Sequence, residues 1–170
     1  LPELEPADST NFLVVPLDFH EEVQRAEASK DFGYLRMLST ESDGFSWTTM
    51  GLRLIGNSQF RLKDWLGAKA TWEAVRKYDD MDWEANTLLG TIYQRLGDLV
   101  RSDQALERAL QNTGMSSWDR AEIRALMARN AKTLWEKDWK KLEGIADVQK
   151  AALSSPYLEK SFDLYRKGYV

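Results

Sequence analysis

Residues 83–116 read WEANTLLGTIYQRLGDLVRSDQALERALQNTGMS, and this stretch decides the fold. Leu88, Leu89, Ile92, Tyr93 and Leu96 recur at spacings of three and four, the period of a helix with one buried face. Gly97-Asp98 interrupts the pattern, and Leu99, Leu106, Ala109 and Leu110 resume it. Glycine supplies the backbone freedom that a tight turn needs, and the aspartate can cap the helix that follows. Asp82 stands before Trp83 as an N-cap, and Ser116-Ser117-Trp118-Asp119 has the form of a capping box opening another helix. The stretch therefore predicts two helices joined by a short turn.

The same punctuation recurs outward from there. Lys30-Asp31-Phe32, Lys63-Asp64-Trp65, Gly97-Asp98-Leu99 and Lys137-Asp138-Trp139 look alike, with aspartates 33, 34 and 40 residues apart. Each group stands between two helical patterns, so each is expected to be a hairpin turn whose following apolar residue anchors the next helix. A period near 34 residues with a turn in its middle describes stacked helical hairpins. The last stretch opens with Ser155-Pro156, an N-cap followed by proline in the first helical position. Tyr157, Leu158, Phe162 and Tyr165 give it an apolar side, and it is expected to cap the end of the array.

These residues resemble the tetratricopeptide repeat (TPR). In the unit 83–116, Leu89-Gly90 and Tyr93 fit the first-helix pattern, Gly97-Asp98 the turn, and Ser102, Leu106 and Ala109 the second helix. In the unit 49–82, Ile55-Gly56, Lys63-Asp64-Trp65, Ala68, Trp72 and Val75 fit, with Gln59 where the aromatic usually stands. The unit 121–153 has Ala128 for the glycine and Ala131 for the aromatic, and the unit 18–44 is degenerate with a short second helix. The family's closing proline is absent, Asp80 and Gly114 standing there. The resemblance covers residues 18–153 and implies an all-α, right-handed array of about four helical hairpins with a C-terminal capping helix. Residues 126–135 and 157–169 also resemble the TRAF-binding helical-repeat region of apoptosis-signalling kinases and bacterial signalling proteins.

The domain is expected over residues 18–170, with 1–17 as a linker or extended segment. Leu1–Thr10 is acidic and holds Pro2 and Pro6, and the apolar run Asn11–Leu17 suits a strand stub or an extended segment packed on the first helix. The chain starts at Leu1 rather than Met, which reads as a piece of a longer protein.

Composition narrows the chemistry. Among 170 residues there is no cysteine, which excludes disulfides, thiolate metal sites and thiol catalysis, and fits a cytoplasmic setting. The net charge of −4 argues against a general nucleic-acid binder, although residues 45–170 carry 20 bases against 17 acids. Apolar runs are too short to span a membrane. His20, the single histidine, lies near a helix start beside Glu21 and Glu22, and no nucleophile is marked for it. Asp79, Asp80, Asp82 and Glu84 crowd six positions but lack the glycine and distal glutamate of a calcium loop, so they read as a loop and helix-start acids. No glycine-rich phosphate loop occurs. Of seven tryptophans most fall at packing positions, with Trp83 and Trp118 expected to be partly exposed. No enzyme, metal or cofactor is read from these residues.

What remains is binding. The TPR resemblance implies that the first helix of each hairpin lines a concave groove. Counting along those helices places Arg53, Asn57, Phe60 and Arg61 there from one unit, and Thr91, Gln94 and Arg95 from the next. Glu122, Ala125, Arg129 and Lys132 follow from the third. The arginines and lysine make a basic stripe suited to carboxylates, and Asn57 to a peptide backbone. Arg53 and Asn57 coincide with the clamp some TPR proteins use on acidic C-terminal peptides, whereas Leu88, Glu122 and Leu126 depart from it. The expected function is a protein–protein interaction module, a scaffold or sensor within a larger signalling-type protein. Its partner would be an acidic or mixed peptide, another domain of the same chain, or a second copy. Three alternatives stand beside it: an enzyme, or an enzyme's accessory domain, whose catalytic part lies upstream; nucleic-acid binding through the basic stripe and exposed tryptophans; and a solvated face whose arginines pair with local acids.

Overall fold

The computed structural model describes residues 14–139 and 146–168. Among them the secondary structure is helical throughout, in the order α1 (Leu17–Ser29), α2 (Phe32–Glu41), α3 (Thr48–Arg61), α4 (Trp65–Tyr78), α5 (Trp83–Arg95), α6 (Leu99–Leu110), α7 (Ser117–Trp139), α8 (Ala146–Leu153) and α9 (Pro156–Gly168). They divide into two compact units between Tyr78 and Asp79. The expected linker over 1–17 lies mostly outside the described residues. Val14–Pro16 form no strand, Val15 is buried, and Leu17 already belongs to α1.

The first three turn groups fold by one device. Lys30, Lys63 and Gly97 take the left-handed conformation, with φ of 56°, 60° and 84°. The next amide reaches five residues back, Asp31 to the Ala26 carbonyl (2.8 Å), Asp64 to Gln59 (2.9 Å) and Asp98 to Tyr93 (2.9 Å), which closes the preceding helix. Each aspartate Oδ1 then accepts from the amide three residues on, Tyr34 (2.9 Å), Gly67 (3.1 Å) and Arg101 (3.0 Å), which opens the following helix. One residue thus ends a helix and the next starts another.

The fourth group differs. Lys137, Asp138 and Trp139 belong to the last turn of α7, which runs unbroken for 23 residues, so the expected turn is not there. Ala128, Ala131, Trp135 and Trp139 continue one inward-facing stripe through this region, and Trp135 Nε1 donates to the Ala152 carbonyl of α8 at 2.8 Å. Apolar periodicity that does not break gives the helix no place to stop.

In the first unit α1 and α2 pack on α3, around Val23, Ala26, Leu35, Leu38 and Ile55, and α4 packs on α3 and α2. Gln59, standing where the repeat has an aromatic, is fully buried and accepts from Thr71 Oγ1 at 2.7 Å. In the second unit the core is built on Leu106, Ala109, Met115, Ile123 and Met127. Gly90 leaves the room that Leu106 fills: a Cβ there would sit 2.5 Å from the leucine side chain. Ser102 Oγ seals the same crossing by donating to the Gly90 carbonyl at 2.7 Å. The C-terminal helix α9 closes the array on α7 and repeats this contact, Ser161 Oγ donating to the Ala128 carbonyl at 2.9 Å. It thereby occupies on α7 the place that α6 occupies on α5, with α8 standing between them in the chain.

Candidate functional site

The groove residues expected from the first unit are engaged within that unit. The Arg61 guanidinium grips Glu27 of α1 with both arms, Nε to Oε1 at 2.7 Å and Nη2 to Oε2 at 2.6 Å, and Ser58 Oγ adds a bond of 2.7 Å to Oε2. This bond to Arg61, more than the opposing effect of burial, holds the Glu27 carboxyl below its ordinary range. Phe60 meets Trp65 edge to face at 5.4 Å, and Arg53 lies over the Trp72 ring, 5.9 Å from its centroid. Asn57 is half-buried beside them on α3. These side chains fasten α1 to α3 and α3 to α4.

The second unit is different. Gln94 Nε2 donates to Asn130 Oδ1 at 2.7 Å, which joins the end of α5 to the middle of α7. Arg95 follows Gln94 on α5, and Arg129 and Lys132 flank Asn130 on α7, all three exposed. Lys132 has an i,i+4 partner, Glu136, at 3.8 Å, a surface pairing of little strength. Thr91 is half-buried one turn before Arg95, its hydroxyl directed to the Thr87 carbonyl at 3.4 Å.

Asn130 holds this arrangement, and sequence reasoning did not single it out. It is fully buried, and its amide nitrogen donates to Ser102 Oγ at 2.7 Å and to Asp103 Oδ1 at 2.8 Å. Asp103 in turn accepts from Lys160 Nζ of α9 at 2.8 Å. One asparagine therefore links α5, α6 and α7, and through Asp103 reaches α9. A polar residue at a position of helical apolar period was the only sequence signal.

A cavity of about 560 Å³ opens between the start of α7 and the end of α9, lined by Trp118, Ala121, Glu122, Ala125, Tyr165 and Gly168. Trp118 is 78% exposed, as expected for a helix-start tryptophan, and Tyr165 37%. The α7 start is capped by Ser116, whose Oγ accepts from the Asp119 amide at 3.1 Å and donates to the Asp119 carboxylate at 2.5 Å.

His20 lies in the first turn of α1, half-buried. In the acidic loop, Asp79 accepts from the Met81 amide at 3.0 Å and Asp82 caps α5 through the Ala85 amide at 2.8 Å. Among the described residues no group of three or more histidine, aspartate or glutamate side chains could hold a metal ion, and no helix is long and apolar enough to cross a membrane.

No curated protein and no solved structure matches the chain. The sequence profile of the Tetratricopeptide Repeats-Sensor family matches residues 64–170, from the turn before α4 to the end of the chain. Repeated capped turns, close helix crossings and that match together make the chain a member of the Tetratricopeptide Repeats-Sensor family.

Proposed function

We propose that the second unit presents a basic face, Arg95, Arg129 and Lys132 with Thr91 beside them, to an acidic segment of a protein partner. The observation that carries this reading is the Gln94–Asn130 bond of 2.7 Å, which brings the helix turns bearing these cations together on a rigid backing. Guanidinium groups on packed helices can receive carboxylates with little ordering cost. The first unit contributes less, because Arg61 is already committed to Glu27. Membership of a family described as a sensor supports binding rather than catalysis as the task.

An array of short Asp- and Glu-bearing peptides, probed with the wild-type chain and with an Arg129→Glu/Lys132→Glu variant, tests it. Both substituted residues are exposed, so the variant keeps its fold. Peptides bound by the wild type should lose about tenfold or more in affinity with the variant, because two attractions become repulsions. Equal binding by both proteins would place the interface elsewhere and refute the proposal.

A further inference from the structure

The cavity between α7 and α9 is lined by residues other than those of the basic face, with a carboxylate among them. Its floor is made of small residues, Ala121, Ala125 and Gly168, which leave the space open. Its walls are two aromatic rings, Trp118 and Tyr165, both with surface open to solvent. Among the described lining residues Glu122 is the one charged side chain, and it is exposed.

Two arginines near this space are bonded to backbone carbonyls. Arg120 donates through Nη1 to the Leu110 carbonyl at 3.1 Å and through Nη2 to the Asn112 carbonyl. Arg124 Nη1 donates to the Lys167 carbonyl at 2.9 Å. The positive end of α7 is answered by Ser116 and Asp119, and the negative end of α9 by Arg124, so neither helix end sets the charge of this space. What remains to attract positive charge is the two aromatic rings and the Glu122 carboxylate.

We propose that this cavity binds an organic cation, an alkylated ammonium group carrying further apolar bulk. The ammonium would sit against the Trp118 and Tyr165 faces with Glu122 as its counter-ion, and the apolar part would cover Ala121, Ala125 and Gly168. The volume of about 560 Å³ falls in the range of small-molecule sites, larger than an ammonium head alone requires. None of the lining residues belongs to the basic face, so this site stands whether or not the peptide reading does.

The full chain, labelled with 15N at the tryptophan indoles, would be titrated with benzyltrimethylammonium, with neutral benzyl alcohol and with anionic benzenesulfonate. Trp118→Phe assigns the Trp118 indole signal. The cation should shift that signal saturably with a dissociation constant on the order of 1 mM, and the alcohol should bind about tenfold more weakly. Benzenesulfonate should leave the signal where it is. Glu122→Gln should weaken the cation about fivefold, and Trp118→Ala should abolish saturable binding read from ligand line-broadening. Both residues are exposed, so neither change threatens folding. Equal affinity for cation and alcohol would make the cavity merely apolar and overturn the proposal. A cation that leaves the Trp118 signal unmoved up to about 20 mM would overturn it too, as would unchanged binding in Trp118→Ala.

Discussion

Replacing Asn130 by leucine tests the polar hub of the second unit. The two shapes are close, so the change removes hydrogen bonds more than volume. Three bonds go: from Gln94 at 2.7 Å, to Ser102 at 2.7 Å and to Asp103 at 2.8 Å. The two neutral ones contribute about 1 kcal/mol each, and the one to the carboxylate about 1.5–3 kcal/mol. Leucine returns part of this through apolar burial, about 1.5 kcal/mol. A net loss of about 2–3.5 kcal/mol remains, because Gln94 is left facing a methyl group and Ser102 and Asp103 lose a donor. Amide hydrogen exchange followed by mass spectrometry reads this locally, in peptides from α5, α6 and α7. Protection that breaks by cooperative opening should fall roughly 30- to 300-fold. A Ser102→Ala/Asn130→Leu pair should show non-additivity of about 0.5–3 kcal/mol, since the two share a bond. Acceleration of less than about fivefold would refute the claim that this asparagine organises the unit.

Two further perturbations follow from the turns and from the α1–α3 clasp. Lys63 pays for a left-handed backbone that Gly97 takes freely, so Lys63→Gly should stabilise the chain by about 0.5–1 kcal/mol and Gly97→Ala should destabilise it by about 1 kcal/mol, read from urea midpoints. The Gly97 site has open space around it, so the cost there is backbone strain alone, and an unchanged midpoint would contradict it. Glu27 is held below its ordinary value of 4.5 by Arg61, so its contribution is complete above that pH and fades as acid titrates the folded carboxylate. The stability gap between wild type and Glu27→Gln should therefore be widest near neutrality and shrink below about pH 4. A gap constant across that range would show that the carboxylate charge contributes nothing.

Much of the local structure was legible in the order of residues. Asp31, Asp64 and Asp98 were expected at turns and cap helices through the amides three residues on. Ser116 and Asp119 form the expected box, and Pro156 opens the last helix. These features depend on a few neighbouring residues, whose backbone and capping preferences act within one helical turn. Lys137-Asp138-Trp139 shows the limit of that logic. The triad matches the others in letters, yet its three residues are helical and belong to the last turn of α7.

What tertiary structure decided is which distant groups meet. Glu27 and Arg61 are 34 residues apart, and Gln94 and Asn130 are 36 apart. The sequence showed a stripe of bases, but only packing ties Arg61 to Glu27 between α1 and α3 and joins the helix turns that carry Arg95, Arg129 and Lys132 through Gln94 and Asn130. That α9 should take the place of a second helix on α7, and open a cavity with Trp118 and Tyr165 as walls, depends on a contact 33 residues long, between Ser161 and Ala128. Periodicity tells a helix which side to bury. It does not tell it against which helix, because burial rewards any complementary apolar face and the choice falls to the shapes and hydrogen bonds that fit.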